Sequence, residues 1–199
     1  EVNPQNKHLW VKASLRISQS YLDLQQASAF YLFAKTSSAV YFNGVKIGQN
    51  GTPHGNPEQE FVGKMDVQFH LPSKLIKLGQ NEVILHLSSH HGWLTLSTPM
   101  HFAGVSEYGS GQNFSRHNSL SSLLLLGALL IGAVYLAALS IKAEPPHHER
   151  WLFLMAFLAI AQLSLELSRG WFQYDYPVHD LRLILIVICA FSFGICLLW

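Results

Sequence analysis

From Leu120 to Ile141 the chain carries no charged residue, and Leu123 to Leu139 is an almost unbroken apolar run. In hydrocarbon every backbone N–H and C=O must be satisfied within its own segment. A run of this length is therefore held to one solution, a helix rising about 1.5 Å per residue across a core about 30 Å thick. Its internal position, after a domain-sized polar region, argues against a cleaved signal peptide. The stretch Lys142 to Arg150 that follows combines charges with the breaker Pro145-Pro146 and predicts a tight connection between antiparallel spans. Trp151 to Leu165 is apolar again, its span ending between Glu166 and Arg169, and Leu183 to Trp199 is a third run, apolar to the last residue. Spans are expected at 119–141, 151–168 and 182–199. The third is expected to be truncated and the chain to be a fragment, with Glu1 in place of Met fitting a processed or clipped start.

The Lys/Arg bias of the short connections does not fix orientation, because Lys142 and Arg150 on one side face Arg116, Arg169 and Arg182 on the other. Trp171, Phe172, Tyr174 and Tyr176 mark an interface on the side of the polar region, and Trp151 marks the opposite one. With 13 Lys/Arg against 12 Asp/Glu in 199 residues, the chain lacks the basic excess by which proteins bind nucleic acid through counterion release. Cys189 and Cys196 lie seven apart on one expected helix, about 10 Å along its axis, and cannot pair. The polar half has no cysteine, which excludes a disulfide framework and a cysteine-based zinc site there.

The polar half reads as β in short alternating segments, which favours a sandwich or barrel. Its clearest element is a hairpin, Ala39 to Phe42 and Val45 to Gly48 joined by Asn43-Gly44, the dipeptide that best tolerates the positive φ angles of a two-residue turn. Val83, Leu85 and Leu87 alternate with Ile84, His86 and Ser88. Further strands are expected at Trp10–Ile17, Ala29–Ala34 and Val67–Leu71, and Pro72 to Gly79 predicts one or two helical turns. No internal repeat is present, and the Ser-, Gly- and Asn-rich region from 106 to 118 reads as a linker.

Val40 to Gly48, then Gly51, then Leu71-Pro72 with Leu75, Gly79 and Asn81 leading into Val83-Ile84-Leu85, resembles the jelly-roll module of galactose-binding-like topology found beside many glycoside hydrolases. Such a module, an aromatic-glycine linker (Tyr108, Gly109, Gly111), and helices joined by a Pro- and charge-bearing turn before Trp151 are together similar to bacterial seven-transmembrane receptors with diverse intracellular signalling modules. The likeness covers roughly residues 9 to 199. It implies an all-β jelly-roll sensor over 1–105, outside the cytoplasm, a linker over 106–118, and transmembrane helices over 119–199 in the inner membrane. It also implies a diguanylate cyclase or histidine kinase output beyond these residues, and it leaves room for a homodimer. About two and a half of the family's seven helices are present, and the first strands of the module are expected to be missing.

Candidate sites are few. No nucleophile elbow, phosphate-binding glycine loop or zincin helix occurs, so no catalytic residue and no cofactor is expected and the fragment is not expected to be an enzyme. His91 and Trp93, in His90-His91-Gly92-Trp93 just past the strand ending near Ser88, are ligand-binding candidates, Trp93 by stacking on an apolar sugar face. A solvated loop with one Trp folded against the sandwich explains the same residues without a ligand. Glu166 and Arg169, three apart, can share a helical face and are candidates for coupling the sensor to helix movement, or are two interfacial residues reaching the headgroups. His147-His148-Glu149 suits a solvated turn better than a metal set. The expectation is a receptor fragment whose partners are the bilayer and a small ligand, a carbohydrate among them, or a periplasmic protein. The rival is a membrane-anchored carbohydrate-binding or adhesion module.

Overall fold

The computed structural model describes residues 2–110, 119–142 and 147–198, with side chains at all of these except 139–142 and 147–149. Two compact units emerge. The first comprises Glu1–Gly111 together with Gln173–Asp180, and the second Gln112–Phe172 with Leu181–Trp199.

The first unit consists of two antiparallel sheets. Strands β1 (His8–Ile17), β2 (Ser28–Ala34), β3 (Ser37–Phe42), β4 (Val45–Asn50), β5 (Val67–Leu71), β6 (Gly79–Ser88) and β7 (Met100–Glu107) form a four-stranded sheet in the order β1-β6-β3-β4 and a three-stranded one in the order β5-β2-β7. A short helix α1 (Gln19–Asp23), capped by the Ser18 hydroxyl, joins β1 to β2, and single 3-10 turns lie at Pro57–Gln59 and Ser73–Leu75. The helical segment expected after Pro72 is thus one tight turn.

Alternation selects the core. Val83, Leu85 and Leu87 of β6 and Val40 and Phe42 of β3 meet Phe30, Leu32, Phe69 and Leu71 of the other sheet. Full burial of such side chains contributes about 1.5–3 kcal/mol each. The Asn43-Gly44 turn has φ +48° and +83°, the twist-matching values of a primed turn. Asn43 does more than turn the chain. Its amide nitrogen donates to the Leu75 carbonyl and the Asn81 side chain, and its side-chain oxygen accepts from Glu82 N–H, which ties the hairpin to the start of β6. Gly48 lies where β4 passes the Phe69 ring, and a Cβ there would come within 2.1 Å of it.

Of the linker expected at 106–118, Ser106 and Glu107 end β7, Tyr108 N–H donates to the Ala27 carbonyl, and 111–118 lie outside the described residues.

The second unit holds α2 (Leu120–Lys142), α3 (His147–Trp171) and, from Leu181 on, α4 (Tyr176–Cys196). All three helices are long and apolar enough to cross a membrane. Leu124, Ile131, Val134 and Phe191 are exposed along them, which suits surroundings as apolar as the side chains themselves. Residues 143–146 of the expected connection, and the side chains of His147, His148 and Glu149, lie outside the described residues. The structure begins α4 at Tyr176, six residues before the third span was expected, so that its first turn belongs to the β unit.

Candidate functional site

The most concentrated set of buried polar groups in the first unit surrounds an ion pair with no exposed side-chain surface on either partner, Lys35 and Asp180. Lys35 sits in the two-residue turn between β2 and β3, its backbone N–H held by the Pro99 carbonyl. Its ammonium donates to Asp180 Oδ2 at 2.6 Å and to the Leu94 carbonyl at 2.7 Å. The same Oδ2 accepts the backbone N–H of Trp93 at 2.6 Å and of Leu94 at 3.1 Å. Three donors thus converge on one carboxylate oxygen, each bond strengthened by its charge. Gly92 makes the approach possible, since a Cβ there would stand 2.5 Å from Lys35 Nζ and 3.3 Å from Asp180 Oδ2.

A second buried pair lies alongside. Tyr176, fully buried, donates its hydroxyl to Glu60 Oε1 at 3.2 Å and accepts His91 N–H at 2.9 Å. Glu60 Oε2 in turn accepts His90 N–H at 2.8 Å. Every backbone N–H from His90 to Leu94 except that of Gly92 therefore ends on an oxygen of Glu60, Tyr176 or Asp180.

The segment carrying Tyr176 and Asp180 is fixed by backbone as well. Met65 N–H donates to the Tyr174 carbonyl, Tyr176 N–H donates to the Gly63 carbonyl, and Lys64 forms an antiparallel bridge with Asp175. The 61–65 stretch is itself held by Asn50, whose side chain exchanges hydrogen bonds with both backbone groups of Lys64, and by Ser37, which bonds Phe61 and Gly63. Gly63 admits no side chain, because a Cβ would lie 2.7 Å from the Asn50 amide. Pro177, with its fixed φ, suits the first turn of α4.

These contacts give the sequence candidates definite roles. The backbone of His91 and Trp93 frames the ion pair, while their side chains face outward. His91 Nε2 is 3.1 Å from the Pro57 carbonyl and 3.9 Å from Glu60 Oε2, and the Trp93 side chain is 67% exposed. Trp93 is not folded against the sandwich, since the loop is ordered by its main chain. In the second unit Glu166 accepts from Gln162 at 3.3 Å, and its backbone carbonyl and that of Leu165 accept from the Arg182 guanidinium at 3.0 and 2.6 Å. Arg182 thus ties α3 to α4 there. Tyr174 and Tyr176, read as interfacial aromatics, are structural members of the β unit, and Tyr174 Oη bonds His179 Nδ1 at 3.0 Å. Nothing local in the sequence marks Lys35 or Glu60 as a site residue, and Tyr176 reads there only as an interfacial aromatic. The one local signal was Asp180, an acidic residue at the edge of a long apolar run, where an ionisable group calls for a partner.

Among the described residues no group of three or more His, Cys, Asp or Glu is placed to hold a metal ion. No protein-family model matches the chain, and no curated protein matches it. Among solved structures the chain is similar to a beta-D-mannosidase from Dictyoglomus thermophilum, with 20% identity and a TM-score of 0.31. The match covers 43% of this chain and 9% of the mannosidase chain.

Proposed function

We propose that the chain is the sensing and membrane-entry part of a signal-transducing receptor. In this reading the two sheets are a jelly-roll sensor of galactose-binding-like topology lying outside the cytoplasm. The three helices are the first of a bundle in the inner membrane, leading to a cyclase or kinase output beyond these residues. The observation that carries it is Asp180. This residue stands at the start of the second turn of an apolar helix, and its carboxylate is held by the backbone of the same loop that presents His91 and Trp93 to solvent.

A ligand that engages Trp93, a carbohydrate stacking on its exposed ring or a protein covering it, would shift the N–H groups that hold Asp180. The chain runs from Asp180 straight into Leu181 of the helical unit. Such a ligand acts as a signal only if it binds one arrangement of the loop better than another. Exposed Trp93 also favours a second reading, an anchored carbohydrate-binding or adhesion module in which binding stops at the loop.

The test is hydrogen exchange on the full chain in lipid nanodiscs, with and without saccharides found to raise its melting temperature. The receptor reading expects altered protection both in 88–96 and in 173–182. Change confined to 88–96 supports the anchored module. Loss of all saccharide effects with Trp93 intact, together with no protein ligand from the same compartment, overturns both.

A further inference from the structure

The outer face of the four-stranded sheet carries a histidine pair that the ion-pair site does not use. In the β1–β6 ladder Trp10 is opposite His86 and His8 opposite Ser88, so His8 and His86 are diagonal neighbours on one face. Their Nε2 atoms approach to 2.5 Å, with ring planes at 75° and centroids 4.7 Å apart. Two nitrogens, each able to offer a lone pair, are aimed at one point in solvent-accessible space.

The Trp10 indole lies against His86 at 4.1 Å with planes 4° apart, which limits its rotation, while between the His8 ring and Gly55 there is room for a methyl group. His54, in the same loop as Gly55, accepts Asn56 N–H on Nδ1, which leaves its other nitrogen carrying hydrogen in the neutral ring and unfit to act as a third ligand. Lys46 is bonded to Gln49, and Lys12 to Glu82, so neither ammonium is committed to the histidines.

We propose that His8 and His86 form a two-imidazole chelate for a borderline divalent transition-metal ion, Cu²⁺ or Zn²⁺, with water in the remaining positions. Imidazole is the ligand these ions favour, and metal–nitrogen distances of about 2.0–2.1 Å put two ligands about 2.9–3.4 Å apart at angles from square to tetrahedral. The pair must therefore open by about 0.4–0.9 Å, which small rotations of two surface side chains provide. A metal ion would take the place of the hydrogen bond between the two rings, each ring then carrying its hydrogen on Nδ1 so that both Nε2 atoms offer a lone pair. This site is independent of the receptor reading.

Trp10 supplies the readout. The full chain, without a polyhistidine tag and in detergent micelles, is titrated with CuCl₂ and separately with ZnCl₂, following tryptophan fluorescence and heat. The expected result is saturable binding at one ion per chain, with Cu²⁺ quenching fluorescence and Trp10→Phe removing the largest share of that quench. His8→Ala and His86→Ala should each weaken binding by about 10- to 100-fold or more, the loss that even an outer-shell partner of a metal ligand causes. His70→Ala, on another strand, should bind as the parent does. If an alanine variant fails to fold, His8→Gln and His86→Gln serve in its place. Parent-like affinity in the His8→Ala/His86→Ala double variant, or no saturable binding of either ion by the parent, overturns the site.

Discussion

Two lysine–carboxylate pairs in the same β unit show how much environment decides what an ion pair does. Lys12 and Glu82 pair diagonally across β1 and β6 with 69% and 38% of their side chains exposed, while Lys35 and Asp180 are fully buried. The first pair forms in water, where attraction is screened and ordering two long side chains offsets most of the gain. The second has left water altogether, so its stability depends on the donors that meet Asp180 Oδ2, Oδ1 being buried without one, and removal of one partner leaves a bare charge inside. An exposed pair decorates a fold that exists without it. A buried pair whose partners lie 145 residues apart fastens distant chain segments and makes each depend on the other.

The largest expected effect tests that dependence. Asp180→Ala strands the Lys35 ammonium and two backbone N–H groups, and should destabilise the β unit by about 3–5 kcal/mol, read by denaturant unfolding of the full chain in detergent. The double variant Lys35→Met/Asp180→Leu removes both charges and should recover the part of that loss due to the bare ammonium, while the Trp93 and Leu94 N–H groups remain unpaired. Equal damage in the single and double variants would break the contrast, since then packing and not charge would hold the segment. A purely steric defect in the same unit sets the intermediate scale. Gly48→Ala drives a methyl into the Phe69 ring and should cost about 1–3 kcal/mol without touching either pair. Lys12→Met, by comparison, should change stability by about 0–1 kcal/mol, and less in high salt.

The smallest effect concerns a group between the two extremes. Partial burial first, then the nearby His8, His54 and Lys46, hold the His86 imidazole below its ordinary value of 6.5. The unfolded chain therefore binds this proton first as pH falls, so stability is unaffected well above 6.5 and declines as pH drops below it toward the folded value. His86→Gln should flatten this acidic slope in metal-free buffer, and a slope unchanged by the substitution would place the titrating group elsewhere.

The parts of the fold that the sequence revealed are those with local causes. Asn43-Gly44 required positive φ, Val83, Leu85 and Leu87 alternated, and the helices announced themselves by uncharged length. Strand β7 escaped because His101 to Glu107 mixes polar, small and apolar residues without alternation, and α1 escaped because five residues with one capping serine carry little periodicity. The ion-pair site escaped for a different reason. Lys35 and Asp180 each look like a solvated charge in their own neighbourhood, and Tyr176 looks like a headgroup-level aromatic, until the Tyr174 to Tyr176 backbone pairs with 63–65. His91 and Trp93 are legible in the sequence through their side chains, whereas it is their main chains that frame the ion pair.

The central claim is that Trp93–Leu94, in the 90–94 loop, and the start of the third apolar helix are tied together by the Asp180 carboxylate. Its most direct test is amide hydrogen exchange on the full chain in nanodiscs, comparing the parent with Asp180→Ala. Loss of protection is predicted in 88–96 together with 173–182. Loss confined to 173–182, with the Trp93 and Leu94 amides as protected as before, would contradict it.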